Sequence, residues 1–393
     1  MSSAKYVLRS IAALSAALLY QAFTTASAQS SPNVIAVTCD SDVLDGGNYA
    51  DVIIKGSGCT LKGGAQVFGS VKVESGETRI EGGTIVLGGF EANGAGNVTV
   101  NNSTVFGELK VENSGQTMIQ AGAAVGGISV TGSGDVTVAN ATAGEVVIAG
   151  SSDLEVGTGG TVAAIFVVAS GSVDLTDGLV SPGGVSMGLS GALTADNLSV
   201  IEGTVIVEKG TGAVTLNGTG LNSDLTVIEQ NGNISVFGGA TVSDIKIEKS
   251  TGDIMLSGVT TDSDTTILEN DGVVTIENSA FGSDAAISKN KQAVNVLTSS
   301  FDLEDVLISS NGGIVTIDGN SDLRPTVTEN PAGVDFLNNA FTEADISKNG
   351  DVLINFNTGI AGGAAESLSC SDNSFVAGSG NNIEFTDGQC AGL

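Results

Sequence analysis

The feature that most constrains this chain is an internal period of twenty residues. Gly232, Gly252 and Gly272 fall at this step, and an aspartate column keeps it with steps of 21 and 40 residues near its end. A fixed step of this kind indicates a solenoid, because each turn stacks on the next and one residue type then forms a column. The aspartate column comprises Asp224, Asp244, Asp264, Asp284, Asp305 and Asp345.

Each repeat contains short segments that alternate apolar and polar residues, separated by turns of glycine, serine, threonine and charged residues. Residues 245–248 and 254–257 are two such segments, and no run has helical spacing. A propeller blade would need roughly forty residues, and a left-handed hexapeptide helix would prefer steps of about eighteen. The sequence therefore predicts an all-β fold, a single-stranded right-handed parallel β-helix of about fifteen turns of ~20 residues.

Two apolar columns and one asparagine column follow the same period. The first apolar column comprises Val236, Leu256, Ile276, Val296, Ile317 and Leu337, and the second comprises Ile247, Ile267, Ile287 and Ile308. We expect both to face the core. The asparagines occupy the turn between the two strands of each repeat, where we expect a ladder of amide hydrogen bonds from turn to turn. They are Asn231, Asn270, Asn290, Asn311, Asn330 and Asn349.

The first 28 residues differ from the repeats. Lys5 and Arg9 precede an apolar run over 11–23, and Ala26-Ser27-Ala28 follows it. This order is typical of a secretory signal peptide, and the run is too short to span a membrane comfortably. The alternative is a buried N-terminal helix. We therefore predict a signal peptide at 1–28, a β-helix domain at 29–393, and no transmembrane segment after cleavage.

The four cysteines obey the same period. Cys39 and Cys59 are twenty residues apart, as are Cys370 and Cys390, and the two pairs lie at opposite ends of the predicted β-helix. Residues one turn apart in a parallel stack have Cα atoms about 4.8 Å apart, which a disulfide can bridge. We predict Cys39–Cys59 and Cys370–Cys390 as staples of the two ends. A zinc site is disfavoured because the chain has no His and no Cys-x-x-Cys.

The charge balance excludes several partners. The chain has 14 Lys+Arg against 44 Asp+Glu, a net charge of −30. This balance argues against nucleic acid and against anionic lipid, both of which need basic contacts. A strongly negative charge is typical of an extracellular protein that is kept soluble by its charge, or of a protein that is exposed to Ca²⁺.

The inventory of reactive side chains argues against an enzyme. The absence of His excludes Ser-His-Asp and Cys-His sites as they are usually built. After signal cleavage the chain keeps only Arg79 and Arg324 as arginines and only Tyr49 as a tyrosine, whereas sites for acidic polysaccharides need cations and aromatic platforms. A pair of carboxylates could still hydrolyse a glycosidic bond, so this alternative stays open.

The aspartate column has two interpretations. A turn aspartate commonly accepts a hydrogen bond from the local backbone. However, carboxylates stacked about 5 Å apart repel one another, and Ca²⁺ held between turns would relieve this repulsion. The Gly-Gly-x-Gly-x-Asp motif of calcium rolls is absent. The cofactor prediction is therefore none, with structural Ca²⁺ on the column as the alternative.

A partial column of small hydroxyl residues raises ice binding as a further function. Ice-binding faces are flat and regular and often carry threonine columns. The column here comprises Thr215, Ser235, Thr275 and Thr316, and it is interrupted by Met255, Asn295 and Asp335.

The repeat segments resemble a group of known proteins. Residues 56–64, 67–76 and 97–115 and the terminal Gly388–Leu393 resemble secreted bacterial parallel β-helix proteins of unknown function. The repeats are also loosely similar to those of bactofilins, which are cytoplasmic polymer-forming β-helices without this signal and these cysteines. The resemblance implies an exported repeat scaffold and brings no catalytic residues. In a eukaryotic microbe the glycosylation acceptors would be Asn97, Asn102, Asn140, Asn197, Asn217 and Asn233.

These observations favour a non-catalytic structural, adhesion or matrix scaffold that is secreted and lies outside the cell or at its surface. We expect a monomer that meets an extracellular polymer or surface, either glycan or matrix. A polysaccharide-binding or polysaccharide-processing β-helix is the first alternative, and an ice-binding protein is the second.

Overall fold

A computed structural model describes residues 35–391, except 151–152, 170, 197–198, 239–240, 303–304, 360–366 and 383–385. All strand pairs within the described ranges are parallel, and these ranges contain no helix. The predicted parallel β-helix is confirmed, with about 16 turns against the predicted fifteen. The right-handed winding stays a prediction, and the predicted signal peptide at 1–28 lies outside the described residues.

Each turn contributes to up to three columns of parallel strands, which we call sheets 1, 2 and 3. Sheet 1 stacks the following strands on segments of β1 (Ile35–Asp45) and β2 (Asn48–Lys62): β4 (Val71–Val73), β7 (Phe90–Asn93), β9 (Thr104–Glu112), β11 (Ala124–Thr131), β13 (Thr142–Ala149), β15 (Thr161–Val168), β18 (Val185–Gly188), β21 (Val205–Glu208), β24 (Leu225–Ile228), β27 (Ile245–Glu248), β30 (Thr265–Leu268), β33 (Ala285–Ser288), β35 (Asp305–Ser309), β37 (Arg324–Thr328), β39 (Glu343–Ser347), β41 (Ser367–Ser371) and β43 (Thr386–Gly388).

Sheet 2 also begins on β1 and β2 and continues with β5 (Glu77–Ile80), β8 (Val98–Asn101), β10 (Thr117–Gln120), β12 (Val136–Ala139), β14 (Leu154–Val156), β16 (Val173–Thr176), β19 (Leu193–Asp196), β22 (Val214–Asn217), β25 (Ile234–Phe237), β28 (Ile254–Ser257), β31 (Val274–Glu277), β34 (Val294–Leu297), β36 (Val315–Asp318), β38 (Val334–Leu337), β40 (Asp351–Asn355) and β42 (Phe375–Ser379). Sheet 3 is narrow and contains the first residues of β9, β11, β13 and β15 together with β3 (Gln66–Val67), β6 (Ile85–Val86), β17 (Leu179–Val180), β20 (Val200–Ile201), β23 (Gly220–Leu221), β26 (Thr241–Val242), β29 (Thr260–Thr261) and β32 (Ala280–Phe281).

The alternation of residues within each strand builds a single apolar core along the rod axis. In β27, Ile245 and Ile247 are buried, while Lys246 between them is exposed. The second apolar column keeps its register from Ile247 to Ile308 as predicted. The first column is confirmed as far as Ile317, but the assignment of Leu337 is wrong. Phe336 pairs with Ile317 there, because the repeats near this end are 19 rather than twenty residues long.

The glycine column is required by close packing between turns. A Cβ atom on Gly252 would collide with the carbonyl oxygen of Gly232, and one on Gly272 would collide with that of Gly252. No side chain can be accommodated where one turn rests directly on the backbone of the previous one. The twenty-residue glycine step is therefore a consequence of stacking.

Buried asparagines hold the C-terminal half of the rod together. The Asn330 side chain donates to Oδ1 of Asn349 at 2.9 Å, and its own Oδ1 accepts from both the backbone N–H and the side-chain Nδ2 of Asn311 at 3.0 Å. The same pattern repeats through a ladder that comprises Asn270, Asn290, Asn311, Asn330, Asn349 and Asn373. Because each amide bridges two turns, the polar core is satisfied only when adjacent turns keep their register.

The predicted ladder differs from the observed one in two respects. Asn231 is exposed and lies outside the ladder, because Gln230 and Ser250 occupy the inward position in their turns. A second ladder on the next corner of the rod was not predicted; it comprises Asn320, Asn339, Asn357 and Asn381.

Both predicted disulfides form in the structure. Cys39 and Cys59 have Cα atoms 6.0 Å apart, and Cys370 and Cys390 have Cα atoms 5.3 Å apart. The predicted geometry was nevertheless too simple, because the paired cysteines are not register partners. Cys39 pairs with Ile54 in sheet 1, whereas Cys59 lies in sheet 2, so this disulfide crosses the interior from one sheet to another. All four cysteines are buried.

Replacing one ladder asparagine should destabilise the whole rod. Asn330→Ala removes the acceptor of two buried donors on Asn311 and should lower the free energy of unfolding by about 2–4 kcal/mol. Equilibrium unfolding in urea measures this change. Asn231→Ala is the matched control and should cost less than about 0.5 kcal/mol, since Asn231 is exposed. Equal losses in the two variants would contradict the ladder.

Removing the C-terminal disulfide should loosen only that end. The bond closes a segment of 20 residues, and its loss should cost about 3 kcal/mol in the chain-entropy account. In a Cys370→Ser/Cys390→Ser variant we expect faster amide hydrogen exchange in β41 to β43 and unchanged exchange in β4 to β8. Uniformly faster exchange along the rod would show that the staple does not act locally.

Candidate functional site

The aspartate column lies at the corner that precedes sheet 1. The Asp244 side chain accepts a hydrogen bond from the backbone N–H of Asp264 at 3.1 Å. Asp224 and Asp284 accept in the same way from the aspartate one turn later, at 3.4 and 3.2 Å. The carboxylates therefore cap backbone donors of the next turn. Asp345 does not belong to the column, because it pairs with Thr326 inside sheet 1.

Nothing at this corner identifies a calcium site. Within the described ranges, no group of three or more His, Cys, Asp or Glu side chains is arranged to hold a metal ion. The column ends in an ion pair between Asp305 and Arg324, whose closest atoms are 3.7 Å apart. Structural Ca²⁺ on the column stays a prediction.

The hydroxyl column lies on the outward side of sheet 2. Thr215 pairs with Ser235, and the pairing continues through Met255 and Thr275 to Asn295 and then Thr316. The interrupting residues thus occupy the same outward position as the threonines. The neighbouring outward column mixes Asn217 and Phe237 with Glu277, so this face does not present a regular hydroxyl lattice.

Charged residues alternate along the corner between sheets 1 and 2. The residues at this position lie in successive turns in the left-handed backbone region, with φ between 55° and 60°; they are the charged Lys209, Glu229, Lys249, Glu269, Lys289, Glu329 and Lys348, and the uncharged Ser310 in the turn between Lys289 and Glu329. Three exposed ion pairs join neighbours, with N–O distances of 4.0, 3.3 and 3.8 Å. Exposed ion pairs of this kind contribute little to the stability of the fold. We infer that their main effect is to balance the charges along this corner.

Near the N-terminal end of the rod the lysines also pair with glutamates. Lys110 in sheet 1 forms an ion pair with Glu112 at 2.8 Å. That hydrogen bond, together with the negative charges of Glu112, Glu91 and Glu108, raises the pKa of Lys110 above its usual value. Lys110 therefore carries its positive charge at every physiological pH.

The corner between sheets 3 and 1 changes length between β9 and β11. β9 has one more residue than β11 between the paired positions Val105–Val125 and Glu108–Gly127. Phe106 lies in this longer corner, which β9 shares with the two preceding turns, and it is 47% exposed. In the next three turns the corner is one residue shorter, and it contains Gly126 in β11 and Gly144 in β13.

A shallow notch lies where the longer corner of β9 meets the shorter corners of β11 and β13. Its volume is about 330 Å³. Gly127 lies in register between Glu108 on one turn and Glu145 on the other, so the two carboxylates flank a glycine. Neither glutamate forms an ion pair with a described lysine or arginine. The notch is lined by Phe106, Gly107, Glu108, Gly126, Gly127, Ile128, Glu145 and Val147.

The predicted glycosylation acceptors differ in exposure. Asn102, Asn140, Asn217 and Asn233 are exposed, whereas Asn97 is half-buried and accepts a hydrogen bond from the Gln116 backbone. The remaining predicted acceptor, Asn197, lies outside the described residues.

Comparison with known proteins returned no family model, no curated protein and no solved structure that matches the chain. Of the predicted resemblance, the structure confirms the parallel β-solenoid of repeating turns. No helix that could cross a membrane occurs among the described residues.

Sequence reasoning missed the notch and found most of the columns. The columns repeat, so their spacing identified them, whereas the notch depends on a single-residue difference between two turns. The Gly126-Gly127 pair, together with the shorter step of that repeat, is the signal that could have located it.

The two interpretations of the aspartate column make opposite predictions for one variant. If Asp244 acts as a backbone cap, Asp244→Asn keeps the acceptor and removes one repelling charge, so the melting temperature should stay equal or rise. Asp244→Ala should lose about 1 kcal/mol, and EDTA should change nothing. A melting temperature that falls both with EDTA and in Asp244→Asn would establish calcium binding instead.

Proposed function

We propose that this protein is a non-catalytic extracellular scaffold with a structural, adhesion or matrix role. The observation that carries the proposal is the continuous stack of about 16 turns with a disulfide near each end of the described chain. A rod of this kind presents long, flat sheets of fixed geometry at repeated spacing. Such surfaces suit attachment to an extended extracellular polymer, either glycan or matrix, better than they suit enclosure of a small substrate.

The use of polar side chains supports the same proposal. Buried asparagines, corner aspartates and corner glycines are occupied in stacking one turn on another. Two clefts of the described surface are shallow, with volumes of about 330 and 260 Å³. These features give the protein rigidity and extent, which a scaffold requires.

Secretion is part of the proposal. It rests on the predicted signal peptide at 1–28 and on two buried disulfides, which persist in oxidising compartments. The net charge of −30 would keep such a rod soluble and disfavours anionic polymers as partners. Neutral glycans and proteins with basic patches fit this charge.

Each alternative function has one supporting observation. The notch with its two carboxylates supports polysaccharide binding or processing. The hydroxyl column on sheet 2 supports ice binding, although Met255, Asn295 and Asp335 occupy its positions at intervals.

Fractionation and pull-down test the scaffold proposal. An antibody against the mature protein should find it in the medium or the cell-surface fraction, and the purified protein should sediment with isolated surface material. A reducing-sugar assay on that material should show no release. A protein confined to the cytoplasm would contradict the proposal, and reducing ends above the blank would favour processing.

Thermal hysteresis separates the ice-binding alternative. We expect the purified protein to show no gap between melting and freezing points beyond that of an equal concentration of serum albumin. A gap that Thr215→Leu and Thr275→Leu abolish would place ice on sheet 2. The same substitutions on sheet 1, at Thr226 and Thr266, provide a matched control because these threonines are also outward-facing.

A further inference from the structure

The notch between β9 and β13 lies where the corner between sheets 3 and 1 changes length. β9 keeps the three-residue corner of the two preceding turns, whereas the corner is one residue shorter in β11, β13 and β15, so Phe106 lies on the last of the longer corners. Sequences that specify a fold consistently tend to depart from their own rule where function requires it. A register shift between neighbouring strands, here the loss of one residue in β11, is one common form of such a departure.

Gly127 is the residue that keeps the notch open. Neighbouring glycines are required by the backbone, because a Cβ on Gly126 would collide with the Phe106 carbonyl and one on Gly144 with the Gly126 carbonyl. Gly127 has no such requirement. Its backbone does not adopt a positive φ, and its Cβ would lie 3.5 Å from the Glu145 carbonyl oxygen, an ordinary contact. Any larger residue there would fill the space between Glu108 and Glu145.

The chemistry of the lining is that of a saccharide site. The Phe106 ring and the Val147 side chain offer apolar surface for the C–H face of a pyranose ring. Glu108 and Glu145 offer carboxylate oxygens, which accept strong hydrogen bonds from hydroxyl groups. With a net charge of −30 on the chain, uronic acids and sulfated sugars would be repelled.

We propose that the notch formed by Phe106, Glu108, Gly127 and Glu145 binds one uncharged pyranose unit of an extracellular glycan. A volume of about 330 Å³ lies at the lower end of small-molecule sites, which suits one ring of a longer chain. This inference rests on the proposed scaffold function and names its attachment point. A single shallow subsite binds weakly, and several rods on one polymer would gain by multivalency.

Saturation-transfer NMR on the intact mature protein tests the proposal. The probes are neutral hexasaccharides of β-1,4-glucose, β-1,3-glucose and β-1,4-N-acetylglucosamine. The wild type should saturate ring protons of at least one of them. Gly127→Leu, which plugs the notch, should reduce binding at least about tenfold, and Glu145→Gln should reduce it by about three- to tenfold.

Gly188→Leu is the matched control. Gly188 also lies in sheet 1 without a positive φ, and a Cβ there would meet no atom within 4 Å. This variant should bind like the wild type, and both leucine variants should keep the circular dichroism and melting temperature of the parent. Retention of fold in Gly127→Leu makes any loss of binding attributable to the notch.

Three outcomes would overturn the proposal. The first is that no hexasaccharide binds the wild type; the second is that Gly127→Leu binds as well as Gly188→Leu. The third is that hexalysine binds at the notch in a salt-sensitive manner while the neutral sugars do not, which would identify a site for basic groups. If one of these outcomes occurs while the wild type still sediments with cell-surface material, the subsite is wrong and the scaffold proposal stands.

Discussion

Hydrogen bonding between successive turns is the constraint on which the rest of this structure depends. Parallel strands about 4.8 Å apart place each residue on its counterpart one turn earlier. A residue type that packs on, or hydrogen-bonds to, the same residue type one turn away can therefore recur along the rod. A residue type that cannot would disrupt the contacts with both the preceding and the following turn. Inward positions select branched aliphatic residues, tight corners select glycine, and the polar inner corners select asparagine, whose amide both donates and accepts.

The same constraint explains which parts were predictable. The apolar, glycine and aspartate columns could be read from spacing because each repeats with the turn. Leu337 and Asp345 were misplaced for one reason: a constant step of twenty was extended into repeats of 19 residues, where Phe336 and Glu343 hold the corresponding positions. An error of one residue in the assumed repeat length carries over to every later turn, so the register predicted from sequence drifts along a solenoid.

Other features could not be predicted, because they depend on how corners fold. The second ladder, with Asn320 and Asn339, lies in a turn whose length varies between repeats. The disulfide between Cys39 and Cys59 was predicted correctly, but its path across two sheets depends on a short first turn. The notch depends on a corner that becomes one residue shorter between β9 and β11, and on one glycine in β11. A departure from the repeat is not repeated in other turns, so a single sequence gives little indication of it. In this rod the candidate binding site lies at such a departure.

Small-angle X-ray scattering of the mature protein tests the central claim most directly. About 16 turns stacked at about 4.8 Å predict a rod roughly 80 Å long, with a pair-distance distribution that peaks early and falls in a long, linear tail. A symmetric distribution typical of a compact sphere of this mass would contradict the stacked solenoid, and with it the scaffold role that depends on its extended faces.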